Sequence, residues 1–227
     1  MSLPDRNLSV PVTYLITPGA LSPENFETES DNLLRTIDRA SKAGVSAVQI
    51  REKRLPSRLL FELTFKVRSL LQDRETLCLV NERYDIAEAA GAHGVHLTTT
   101  SIPVSVVRGL VPGNFVIGVS THTIEEVSEA ANASADLAVF GPVYETPGKP
   151  SPESGDRLAD VGRASEVSGE MLLLGVGGIN EENFRDVLKA GADGIAAIRL
   201  FGDQVSTETV IRSLSEGSID AKAKGEE

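Results

Sequence analysis

The sequence predicts a single (β/α)8 TIM barrel, and three observations carry that expectation. Eight short apolar runs alternate with helical patterns along 227 residues. Three junctions read almost alike, KAGVSAV (42–48), AAGAHGV (89–95) and KAGADGI (189–195), with ANASADLAV (131–139) as a looser fourth. Each passes from the end of an amphipathic segment into a new apolar run, as a repeating helix-to-strand connection requires. A doubly wound open sheet is the alternative, but no GxGxxG follows the first run.

The eight expected strands are PVTYLITP (11–18), SAVQIREK (46–53), TLCLVNE (76–82), GVHLT (94–98), FVIGVSTH (115–122), LAVFGPVYE (137–145), MLLLGVGG (171–178) and GIAAIRLF (194–201). Between them, Leu33, Leu34, Ile37 and Ala40 fall on one helical face, as do Phe184, Val187 and Leu188. Residues 57–73 form a long apolar helix behind Pro56, while the helices near 84–90 and 104–110 are short. Gly44, Gly91 and Gly191 suit the left-handed residue that closes a helix. The barrel spans about 11–215, followed by an acidic tail over about 216–227 expected to fray.

Composition narrows the function classes. With 22 Lys and Arg against 33 Asp and Glu, the net charge of −11 makes nucleic acid an unsuitable partner, since binding it needs a basic surface. An acidic protein that binds an anion must instead gather its few cations in one place. The lone cysteine, Cys78 in TLCLV, reads as inert core and permits no intramolecular disulfide. No apolar run approaches a membrane span, and MSLPDRNLSV lacks a signal pattern, so a cytoplasmic protein is expected. Homo-oligomerisation is left open.

Barrels of this class place their sites at the carboxyl ends of the strands. That gathers Gln49, Arg51, Lys53, Asn81, Glu82, His96, Thr98, Ser120, His122, Tyr144, Thr146 and Lys149 around one mouth. GVGGINEENF (175–184) ends a strand in glycines and runs into a helix. The amides of Gly177 and Gly178 then offer an anion site, with Asn180 as a cap and Arg199 at the end of the eighth strand as a further phosphate contact. In STHTIEE, Thr123 and Glu126 fit a capping box and put His122 at a strand-to-helix corner.

VQIREK (48–53), LVNERYDIA (79–87), GVHL (94–97), IGVSTHTIEE (117–126), FGPVYETPGK (140–149), GVGGI (175–179) and AGADGIAAI (190–198) resemble the thiamin phosphate synthase and TenI superfamily, in order, from about residue 13 to 201. The resemblance implies a (β/α)8 barrel, a thiazole phosphate-type small molecule as ligand and phosphate at the glycine turn. It implies substrate-binding roles for Gln49, Arg51, Asn81, His96, Ser120, Thr146 and Lys149.

Two activities live in this superfamily. Synthases join a hydroxymethylpyrimidine diphosphate to a thiazole phosphate, and two aspartates, in Asn-Asp and HxGQxD patterns, hold Mg2+. Here those patterns read Asn81-Glu82 and HLTTTS, so Glu82 is the metal candidate and Ser101 stands at the other position. That makes a poor magnesium site. TenI-like thiazole tautomerases lack the metal pair and move a proton on a carboxythiazole phosphate. His122 matches their acid/base position, and an imidazole with an unperturbed pKa of about 6.5 suits both directions of transfer. The sequence therefore leads to a tautomerase with no cofactor. The alternatives are a synthase with an altered Mg2+ site and a non-catalytic phosphate-binding barrel.

Overall fold

The computed structural model describes residues 10–145 and 156–223. Eight parallel strands, β1 (Val12–Ile16), β2 (Ala47–Ile50), β3 (Leu77–Asn81), β4 (Gly94–Leu97), β5 (Val116–Thr121), β6 (Leu137–Phe140), β7 (Leu172–Val176) and β8 (Gly194–Ala197), close into one barrel in sequence order. Between and after them run α1 (Phe26–Ala43), α2 (Ser57–Leu70), α3 (Tyr84–Ala89), α4 (Val104–Arg108), α5 (Ile124–Asn132), α6 (Arg157–Ser168), α7 (Phe184–Lys189), α8 (Arg199–Gly202) and α9 (Gln204–Ala223). β8 is shorter than its apolar run: it stops at Ala197, and Arg199 opens α8 instead of ending the strand. Helix α9 continues past residue 216, where the sequence suggests a tail.

Strand periodicity divides the core in two. Val12, Tyr14 and Ile16 of β1, Leu77 and Leu79 of β3, and Leu137 and Val139 of β6 fill the barrel interior. Their neighbours Leu15, Cys78, Val80, Ala138 and Phe140 face outward and pack beneath the helices. Buried strand residues are apolar on both faces because helices cover the sheet outside and side chains fill it inside. Burial pushes the Cys78 thiol up to about 12, so it stays protonated.

The repeated junctions have a physical purpose beyond turning the chain. Ser46 Oγ accepts the Thr13 amide (3.1 Å), His93 Nδ1 the Cys78 amide (2.8 Å), Asp136 Oδ2 the Ile117 amide (2.7 Å) and Asp193 Oδ2 the Leu173 amide (2.8 Å). In every case the residue just before an even-numbered strand clamps the N-terminal end of the odd strand before it. Four side chains thus satisfy four backbone donors where the ladder begins. His93, in the junction AAGAHGV before β4, belongs to this set.

Replacing Asp193 by Ala should leave the Leu173 amide without its acceptor and lower unfolding stability by about 1–3 kcal/mol. Urea denaturation measures this, and a midpoint equal to wild type would remove the clamp from the account of barrel stability.

Candidate active site

The floor of the mouth is polar. Gln49 of β2, Asn81 of β3 and His96 of β4 are buried, and Ser120 of β5 is partly so. Strand alternation and barrel register point them inward together: Asn81 lies opposite His96, and His96 opposite Gly118. The Gln49 amide donates to Asn81 Oδ1 (3.2 Å), and Asn81 donates to Glu82 Oε2 (2.9 Å). His96 Nε2 meets Ser120 Oγ at 3.0 Å, with a longer contact from Nδ1 to the Tyr14 hydroxyl at 3.4 Å. Gly118 makes room for that ring, since a Cβ there would stand 2.9 Å from His96 Nδ1. Tyr14 is a floor residue that the sequence reading passes over. Its place beside Val12 and Ile16 in the β1 alternation is the signal that finds it.

Burial, helped by the Arg51 guanidinium, drives the His96 pKa down to about 3, with Glu82 opposing weakly. The ring is neutral at physiological pH, one nitrogen carrying hydrogen and the other accepting.

Arg51, Lys53 and Glu82 stand above this floor. The Arg51 amide is tied to Thr17 Oγ1 at 2.8 Å, and no carboxylate lies within ion-pair distance of its guanidinium among the described residues. Neighbouring Glu52 is not its partner. That carboxylate is buried and accepts the amides of Gly19 (3.1 Å) and Leu21 (2.8 Å), which pins the loop after β1. Glu82 takes a left-handed backbone (φ 61°), a conformation that costs a non-glycine residue of order 1 kcal/mol. Burial opposes its charge. Hydrogen bonds from Thr98, Asn81 and Ser101, together with the Lys53 ammonium, nevertheless hold the carboxyl below its usual range.

His122 sits exposed at the rim just beyond β5. Thr123 and Glu126 form the capping box of α5, and Glu126 also accepts the His122 amide at 2.5 Å. The ring Nδ1 lies 2.6 Å from the Gly141 carbonyl oxygen. A carbonyl only accepts, so Nδ1 carries the hydrogen and Nε2 keeps its lone pair in the neutral ring. Arg157 of α6 braces this corner: it donates to the Pro142 carbonyl (3.1 Å) and the His122 carbonyl (3.4 Å) and stacks over Phe140. Sequence reasoning misses Arg157, because its reach to β5 and β6 exists only after folding.

At β7, Gly177 (φ 100°) and Gly178 (φ 63°) turn the chain tightly against the loop after β6. A Cβ on Gly178 would come within 2.5 Å of the Glu145 carbonyl oxygen. Asn180 caps the turn ahead of α7, accepting the amides of Glu182 and Asn183. Arg199 lines a cavity of about 830 Å³ with Leu15, Thr17, Glu29, Leu33 and Glu52, between the loop after β1 and α8. Thr146 and Lys149 lie outside the described residues.

His96 yields a pH prediction. Its folded pKa is depressed below the unfolded value, so below about pH 6.5 the unfolded chain takes up a proton that the folded one refuses. Stability should therefore fall as pH drops, with this group contributing up to about 1.4 kcal/mol per pH unit. His96→Gln should flatten that slope. Urea denaturation of both proteins between about pH 7 and pH 4 checks it, and parallel curves would contradict a neutral buried ring.

Against known proteins, the model of the family described as thiamine monophosphate synthase matches residues 13–201. A protein of Methanoculleus marisnigri named thiamine-phosphate synthase is 36% identical, over 93% of this chain and 97% of its own. A putative thiamine-phosphate synthase of Geobacter sulfurreducens is 38% identical over 82% of this chain and 84% of its own. The solved thiamine phosphate pyrophosphorylase of Pyrococcus furiosus superposes with a TM-score of 0.76 at 32% identity, covering 90% of this chain and 96% of that one. Sequence and barrel fold agree along nearly the whole molecule: the chain belongs to the thiamine monophosphate synthase (TMP-TENI) family.

Proposed function

We propose that the protein is a thiamin phosphate synthase, joining a hydroxymethylpyrimidine diphosphate to a thiazole phosphate. The observation that carries this reading is the pair of anion-binding points on one mouth. Arg51 follows β2 without a described carboxylate partner, and the Gly177-Gly178 turn follows β7, three strands away round the ring. Two phosphorylated substrates need two such points. The names of relatives that align over nearly their full length support the same choice over the tautomerase expected from sequence.

In the reaction, the thiazole ring nitrogen attacks the pyrimidine methylene carbon as the bond from that carbon to the diphosphate oxygen breaks. Pyrophosphate leaves with the electron pair. Arg51 and Lys53 can meet charge as it gathers on the leaving group. The floor of Gln49, Asn81, His96 and Ser120 offers neutral donors and acceptors to a pyrimidine edge. The residues at Glu82 do not fit the magnesium site of the synthases: Ser101 brings a neutral hydroxyl where a second carboxylate is needed. No step is assigned to a metal.

The test supplies both substrates and follows pyrophosphate. Release that needs both, and falls roughly 10²-fold in kcat/KM in Arg51→Gln, is the expected result. No release with or without Mg2+ would overturn the reading.

The tautomerase is the second reading, favoured by His122. Its Nδ1–H is fixed on Gly141, which leaves Nε2 as an accessible acceptor for proton transfer. Aromatisation of the carboxythiazole phosphate, lost in His122→Ala, would promote it. An unaccelerated rate would dismiss it.

A further inference from the structure

The Glu82 side chain is about a third exposed, and both of its carboxylate oxygens meet protein donors. Oε2 accepts from Asn81 Nδ2 at 2.9 Å and lies 3.6 Å from Lys53 Nζ. Oε1 accepts from the Thr98 hydroxyl at 2.9 Å and the Ser101 hydroxyl at 3.3 Å. The backbone holds this arrangement in place, since the Glu82 amide donates to the His96 carbonyl at 2.9 Å in a left-handed conformation.

A divalent ion would have to displace these donors and the ammonium. It would then find one carboxylate where hard cations gather several oxygens and usually more negative charge. Among the described residues no group of three or more His, Cys, Asp or Glu side chains is placed to hold a metal. Lys53 stems from the turn after β2, one strand from Glu82, and its side chain is about half exposed, so its ammonium meets the carboxylate and stays open to solvent.

We propose that the Lys53 ammonium holds the cation position at Glu82, so that this mouth meets an anionic ligand with a charge built into the chain in place of a divalent ion. Thr98, Ser101 and Asn81 then act as the neutral shell that fixes the carboxylate for Lys53. The part concerning the anion rests on the diphosphate reading above, which the product assay judges separately. The part concerning the cation is independent of it.

Mn2+ is the probe for the cation. Its electron paramagnetic resonance signal is titrated with wild type, Ser101→Asp, the double variant Lys53→Met/Ser101→Asp, and each of these with Glu82→Gln. Circular dichroism confirms that each variant folds, and the single Ser101→Asp substitution serves should the double variant fail. Wild type should show no Mn2+ site that depends on Glu82. Removing the ammonium and adding a carboxylate should create one, at least about tenfold tighter than any residual binding. A Glu82-dependent site in wild type would overturn the proposal, as would a folded double variant that binds no better than wild type.

Inorganic pyrophosphate is the probe for the anion. Calorimetry should give the same affinity in chelator as in Mg2+, and about tenfold weaker binding in Lys53→Met. Binding that requires Mg2+, binding indifferent to Lys53, or no binding at all would each overturn the ammonium's role.

Discussion

Closing eight parallel strands into a ring leaves no sheet edge and sends every second side chain into a narrow shared interior. That constraint governs both what holds the barrel together and what it can do. Toward the amino-terminal ends, Val12, Leu77 and Leu137 fill the space, while Ser46, His93, Asp136 and Asp193 clamp the amides where the ladder begins. Toward the carboxyl ends the same alternation delivers Gln49, Asn81, His96 and Ser120 to one level. Polar groups buried there must find partners among themselves, and they do so in short chains of hydrogen bonds running from one strand to the next.

Charge follows a similar economy. The chain carries a net charge of −11, yet Arg51 and Lys53 converge on the mouth with Glu82 as the nearby acid. An acidic surface repels anions at long range, so recognition of one has to be local. Burial and Arg51 together keep His96 neutral, and it therefore serves the floor as a hydrogen-bonding group and not as a charge. His122 contrasts with it on the exposed rim: one nitrogen is fixed by Gly141 and the other is open to a ligand. The mouth thus holds two imidazoles in different conditions, the difference set by depth along the strands.

The departures from the synthase pattern gain meaning from this geometry. Glutamate at 82 reaches farther than aspartate, and its carboxylate closes onto Thr98 and Ser101, the residues that replace the usual Gly-Gln-x-Asp surroundings. The substitutions are mutually consistent: a hydroxyl in place of one acid and a longer acid in place of the other make a neutral-donor cage with a lysine beside it. Arg199 lines the cavity beside α1 and α8.

The sequence by itself determined the barrel, its eight strands in order, the short helices α3 and α4, the capping box at Thr123 and the glycine turn after β7. Each is a local pattern, of apolar periodicity, helix-end chemistry or positive φ, and needs no distant residue to be read. It also pointed to Gln49, Asn81, His96 and Ser120 at the strand ends, because those ends are marked by where apolar runs stop. Only the tertiary structure decided which of them meet. The end of β8 at Ala197, the bracing of His122 by Arg157, the addition of Tyr14 to the floor and the capture of Glu82 by Lys53, Thr98 and Ser101 all join residues on different strands or helices. The repeated junctions were legible as turns, but their second role as amide clamps was not. Such contacts depend on register and depth within a closed ring, which no single segment of the chain encodes.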